Sequence, residues 1–145
     1  MDSDEILKIS KIAFRRLISS PKGYRGLIYS SRGGRIREPE VRYIFCNVLD
    51  EKGYKFGLEV PTENKYCFTG KKSQRALTDL SIFGGGKQEI NIEFKEGPSP
   101  QKQIDKDVEK LIRETKPGVL IHFLPTRENN LNSEHPGILK KRIIT

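Results

Sequence analysis

Apolar residues recur along this chain with two periods, and the alternation between them sets the order of elements. In residues 4–19, Ile6, Ile9, Ala13 and Leu17 fall at helical intervals. Asp2 and Glu5 have the spacing of a capping box, and Pro21 ends the run, so a helix is predicted there. A second helix is predicted from Pro39, a good first-turn residue, with Val41, Ile44, Phe45, Val48 and Leu49 on one stripe and Gly53 as terminator. The stretch 54–60 reads as a strand broken by Pro61, and 61–76, polar and basic, as a loop. Two β-type runs follow, 76–83 and 89–95, joined by Gly84, Gly85, Gly86 and Lys87 in the manner of a hairpin. Ser99 and Pro100 are expected to cap a third helix with Ile104, Val108, Leu111 and Ile112 on its apolar stripe. Residues 119–124 form a nearly continuous apolar run, which predicts a buried strand parallel to a neighbour. The order is α, α, β, β, β, α, β, with no internal repeat.

The chain has 145 residues, the usual size of one domain, with 34% apolar and 32% charged positions. Its 27 Lys and Arg against 19 Asp and Glu give a net charge of +8, which favours a polyanionic partner. No apolar run is long enough for a membrane span, and the acidic, amphipathic beginning is unlike a secretory signal. Cys46 and Cys67 lack C-x-x-C spacing and read as reduced thiols of a cytoplasmic protein. His122 and His135 have no zinc-ligand spacing, and His122, inside an apolar strand, reads as a packed, hydrogen-bonded residue. The segment 22–37 carries Lys22, Arg25, Arg32, Arg35 and Arg37 among glycines and tyrosines, with no acid. That mixture suits phosphate contacts with some stacking, and its plainer reading is a solubilising loop. Lys71, Lys72 and Arg75 would extend the same basic track, while Lys140, Lys141 and Arg142 close a polar tail.

Side chains alternate along a strand, so Asn91, Glu93 and Lys95 share one face while Ile90, Ile92 and Phe94 share the core face. Asp79, on the preceding strand of the hairpin, can come opposite this polar face. Two hard oxygen ligands on adjacent strands suit Mg²⁺ (or Mn²⁺), and a lysine beside them can stabilise charge on phosphate or orient a water. The competing reading is a surface ion-pair ladder on a half-exposed sheet. The glycines before Lys87 join two strands instead of opening a helix, which argues against a phosphate loop.

Asp79, followed after thirteen residues by Glu93-Phe94-Lys95, resembles the PD-(D/E)xK signature of the restriction-endonuclease-like superfamily. Residues 39–124 match that family's αβββαβ core in order. The resemblance implies a single α/β domain over 1–145, with a mixed sheet flanked by helices. Residues 1–38 would add an N-terminal helix and basic loop, and 125–145 a tail. It implies a metal-dependent endonuclease in which Asp79, Glu93 and the backbone carbonyl of Phe94 bind the ion, and Lys95 stabilises charge or positions water. Glu40, on the first core helix, would hold a second metal or orient water; its other reading is a carboxylate favoured by the helix dipole. Gln103 (or Gln101) matches the polar residue that the family often carries on the helix after the lysine strand. Arg25, Arg32, Arg35, Lys71 and Lys72 would grip phosphates, with DNA favoured over RNA, and cutting both strands would call for a homodimer. Thr78 stands where the signature has proline. The alternative is a non-catalytic nucleic-acid-binding module on the same fold.

Overall fold

The computed structural model describes residues 1–19, 37–67 and 72–123. The expected contacts of Arg25, Arg32, Arg35 and Lys71, and the tail from 124, lie outside these. Among the described residues there are three helices and four strands: α1 (Ser3–Ser19), α2 (Glu38–Glu51), β1 (Lys55–Tyr66), β2 (Gln74–Gly84), β3 (Lys87–Glu96), α3 (Gln101–Arg113) and β4 (Gly118–Phe123). The strands form one mixed sheet in the order β1-β2-β3-β4, antiparallel except for the β3–β4 pair, which is parallel as the apolar run 119–124 predicts.

Local chemistry explains most boundaries. The Glu5 N–H donates to Asp2 Oδ1 (2.8 Å) at the start of α1. At the end of α2, Gly53 adopts φ 76°, Tyr54 N–H donates to Leu49 O (3.0 Å) and Gly53 N–H to Asp50 O (2.9 Å), a complete Schellman motif. The β2–β3 turn places Gly85 at φ 57° and Gly86 at φ 78°, the pair of left-handed residues that matches the twist of a tight hairpin.

One face of the sheet is apolar. Ile6, Ile9, Ala13 and Leu17 of α1 and Val41, Ile44, Phe45, Val48 and Leu49 of α2 bury against Leu80, Ile82, Ile90, Ile92, Phe94, Val119 and Ile121. Phe45 meets Phe94 edge to face with ring centroids 5.4 Å apart. Helix α3 lies on the opposite face; a Cβ on Gly118 would come within 2.7 Å of Leu111 Cβ, so glycine there lets helix and strand approach closely.

Four expectations need correction. Pro61 does not end β1, and 61–76 is no loop: β1 is the edge strand, where a missing N–H disturbs no central ladder, so it runs on to Tyr66 while β2 begins at Gln74. Ser99 does not cap α3; its hydroxyl donates to Glu96 O (3.0 Å), and the Pro100 carbonyl accepts the first helical N–H, from Gln103 (2.9 Å). Ile112 is 64% exposed and sits outside the apolar stripe. Asn91 and Glu93 do not stand on the half-exposed sheet face of the competing ion-pair-ladder reading, being 0% and 2% exposed. His122 is hydrogen-bonded as expected, with Nε2 2.8 Å from Gly97 O. Cys46 and Cys67 are both free thiols. No helix among the described residues is long and apolar enough to cross a membrane.

These placements make a contrast that urea unfolding can check. Phe45→Ala is expected to cost about 3–5 kcal/mol, the usual loss for a fully buried aromatic. Ile112→Ala is expected to stay within about 0.5 kcal/mol.

Candidate active site

The site forms where two strands part. Backbone pairing between β2 and β3 runs from the hairpin turn to Leu80↔Ile92 and ends there. At the next position Asp79 and Glu93 face each other, and side chains replace the ladder. The Phe94 N–H donates to Asp79 Oδ2 (2.8 Å), while the Asp79 N–H points to Glu93 Oε1 at 3.4 Å. Both carboxylates are thereby tied to the backbone of the neighbouring strand.

Helix α3 closes the gap with a lysine. Lys110, 8% exposed, reaches between the strands and donates to Leu77 O (2.8 Å), with its ammonium 2.7 Å from Glu93 Oε1. Burial pushes the Glu93 carboxyl up to about 8; Lys110 opposes the rise and the Asp79 charge adds to it. One turn earlier on α3, Asp107 Oδ2 lies 2.7 Å from Lys95 Nζ. Burial alone would pull the Lys95 ammonium down, but the Asp107 hydrogen bond and the negative field of Asp107, Glu38 and Asp79 outweigh it and hold it above its usual value. From the other face, Arg42 of α2 brings Nη1 to 3.7 Å from Asp79 Oδ1.

The structure thus brings Asp79, Glu93 and Lys95 together, with the Phe94 backbone bound to Asp79. Glu40 is otherwise engaged: its carboxylate accepts the Arg37 N–H at the start of α2. The α2 carboxylate coupled to the site is Glu38, whose pKa is raised first by burial and then by the Asp79 charge, with Lys95 and Arg42 opposing. Gln103 is exposed and lines a cleft of about 370 Å³ with Ala76, Lys95, Lys106, Asp107 and Lys110. Gln101 instead donates to Asp105 on its own helix (2.6 Å). Lys72 is exposed just before β2.

Sequence reasoning missed Glu38, Arg42, Asp107 and Lys110. A signal existed for the last two: Gln103, Lys106, Asp107 and Lys110 fall at i, i+3, i+4 and i+7, a polar stripe on one face of a helix. By itself it reads as a solvated face, because α3 also has an apolar stripe to account for its packing.

Among the described residues no group of three His, Cys, Asp or Glu side chains converges as a ready-made metal site. The chemistry of the donors nevertheless fits a hard divalent cation. Asp79 and Glu93 offer carboxylate oxygens from adjacent strands, each with one oxygen anchored, and burial disfavours the charged forms of Glu38 and Glu93, a cost that a bound cation would offset.

No protein-family model and no curated protein sequence matches this chain. Among solved structures it is similar to a chain of a cryo-electron-microscopy structure of a DrdV–DNA complex, at 18% identity and a TM-score of 0.48, over 81% of this chain and 74% of that one.

The buried Glu93–Lys110 pair invites a double-mutant cycle. Above about pH 8, where Glu93 is ionised, Glu93→Gln and Lys110→Met alone are each expected to cost about 3–5 kcal/mol, because each strands the partner's charge in the interior. The double variant is expected to cost much less than their sum in urea unfolding. Additive losses would mean that the two groups do not pair.

Proposed function

We propose that the chain is a metal-dependent nuclease hydrolysing phosphodiester bonds, acting on DNA in preference to RNA. The observation that carries this reading is the meeting of Asp79, Glu93 and Lys95 where β2 and β3 stop pairing, with Lys95 in the wall of a cleft that Lys106 and Lys110 also line. Asp79 and Glu93, with the Phe94 carbonyl, would hold Mg²⁺ or Mn²⁺. When bound, the ion supplies Lewis-acid polarisation of a phosphate oxygen and a more acidic water.

The chain's own groups account for the rest. Asp79 is held by the Phe94 N–H, with its other oxygen toward Arg42, and Glu93 by Lys110, so both carboxylates are fixed in orientation without a search through rotamers. Lys95, kept protonated by Asp107, stands where it can stabilise negative charge gathering on phosphate or orient the attacking water. Glu38 would take the part expected of Glu40, holding a water or a second ion beside Asp79. Gln103 and Lys106 line the mouth of the cleft, where a phosphate enters. Cutting both strands of a duplex would require two such sites, as in a symmetric dimer.

A second reading keeps the fold as a nucleic-acid-binding module without catalysis. It is favoured by the pairing of Glu93 with Lys110 and Lys95 with Asp107, which leaves these charges matched within the protein. Cleavage assays separate the two. With supercoiled, linear, branched and single-stranded DNA and with RNA, cutting is expected in Mg²⁺ or Mn²⁺ and not in EDTA. Asp79→Ala and Lys95→Ala are each expected to lose at least about 10²-fold in rate. Binding without cutting under every condition would support the non-catalytic module.

A further inference from the structure

The β1–β2 pair does not stop where β2 leaves β3. Beyond Leu80↔Ile92 it continues through Val60↔Thr78, Pro61↔Leu77, Lys65↔Arg75 and Tyr66↔Gln74 as a two-stranded arm. Between the second and third of these pairs β1 advances from Pro61 to Lys65 while β2 advances only from Leu77 to Arg75. This bulge is braced by Thr62 Oγ1, which accepts the Ala76 N–H (3.0 Å) and lies 2.9 Å from Asn64 O.

The arm is tied firmly to the end of α3. Glu114, buried, accepts the N–H groups of Glu63 (2.7 Å) and Asn64 (3.2 Å) and the Tyr66 hydroxyl (2.7 Å). Asn64 Nδ2 donates to Arg113 O (2.6 Å). Glu63 is the sole acid in residues 60–67 and 72–78, and it accepts a hydrogen bond from the Thr115 hydroxyl.

That leaves the arm with an uncompensated charge arrangement. Lys65 and Arg75 are directly opposed across the strands, both exposed, and neither pairs with an acid among the described residues. Lys72, exposed, adds a third positive charge nearby in the chain. Like charges facing each other across a strand pair weaken it. A register fixed by the bulge and the Glu114 anchor holds them there all the same. A line of phosphates would relieve the repulsion, since each contact releases condensed counterions. Arg75 is four residues from Asp79, about 13 Å along a strand, which is the span of a few phosphates from the one at the site.

We propose that this arm is a phosphate-gripping surface, with Lys65 and Arg75 its central contacts, for the nucleic-acid strand flanking the cleft. The inference rests on the nucleic-acid part of the function proposed above, not on its catalytic part. Duplex DNA binding by the whole protein in EDTA, followed by fluorescence anisotropy across a salt series, tests it without any cutting. Arg75→Glu would pair with Lys65 and is expected to raise the melting temperature while lowering affinity about tenfold or more at low salt. The neutral double variant Lys65→Ala/Arg75→Ala is expected to melt no lower than wild type and to flatten the slope of log K against log salt by about 1–2. Wild-type affinity and slope in both variants would overturn the proposal, even if the nuclease assay succeeds. Competition by poly-glutamate as strong as that of DNA at equal charge would overturn the choice of partner. Cutting assays that fail while both variants lose binding would remove the nuclease reading and leave the arm in place.

Discussion

Where β2 and β3 stop pairing at Leu80 and Ile92, the Phe94 N–H has no strand carbonyl to meet and takes the Asp79 carboxylate instead, at 2.8 Å. A buried N–H left without a partner would cost roughly 1–3 kcal/mol, so the substitution holds the strand end in place. It also fixes the rotamer of Asp79 and brings it opposite Glu93. Phe94 contributes from both sides of its backbone: its N–H orients the acid, and its ring packs against Phe45 and Phe123 in the core. The apolar face of the sheet therefore determines where a polar group sits on the other.

That other face is the unusual part of the molecule. A sheet face this polar would ordinarily meet water, yet α3 covers it with Asp107 and Lys110 beside the apolar Leu111. Two charges on β3 find counter-charges on the helix, Lys95 with Asp107 and Glu93 with Lys110. Buried pairs of this kind add little net stability over apolar packing. Their effect lies in the geometry they enforce, carboxylates fixed in orientation and a lysine kept protonated. The same helix anchors the β1–β2 arm through Glu114 one turn further on, so α3 links the cleft to the basic arm as one rigid framework.

Much of this order was legible in the sequence, for reasons that can be named. Gly53 and the Gly85–Gly86 pair announced backbone that only glycine adopts easily, and the structure puts positive φ at all three. The strand parity that sets Asp79 and Glu93 on one side and Ile92 and Phe94 on the other follows from a period of two. What the sequence withheld is tertiary. Pro61 looks like a terminator unless β1 is known to be an edge strand. Glu38 and Glu40 sit roughly 200° apart around a helix, and nothing local says which points at the sheet. The polar stripe of α3 reads as a solvated face until the strand face beneath it is seen to be polar too.

The proposed metal site requires Asp79 and Glu93, just past the end of the β2–β3 ladder, to offer oxygens to a hard cation. Mn²⁺ titration followed by electron paramagnetic resonance measures it without substrate or turnover. Wild type and Lys95→Met are expected to bind the ion, and Asp79→Asn, which stays isosteric, to bind it at least about tenfold more weakly, as the loss of a charged ligand requires. Equal affinity in wild type and Asp79→Asn, or no binding by wild type, would contradict it and return the pair to the role of a buried structural network.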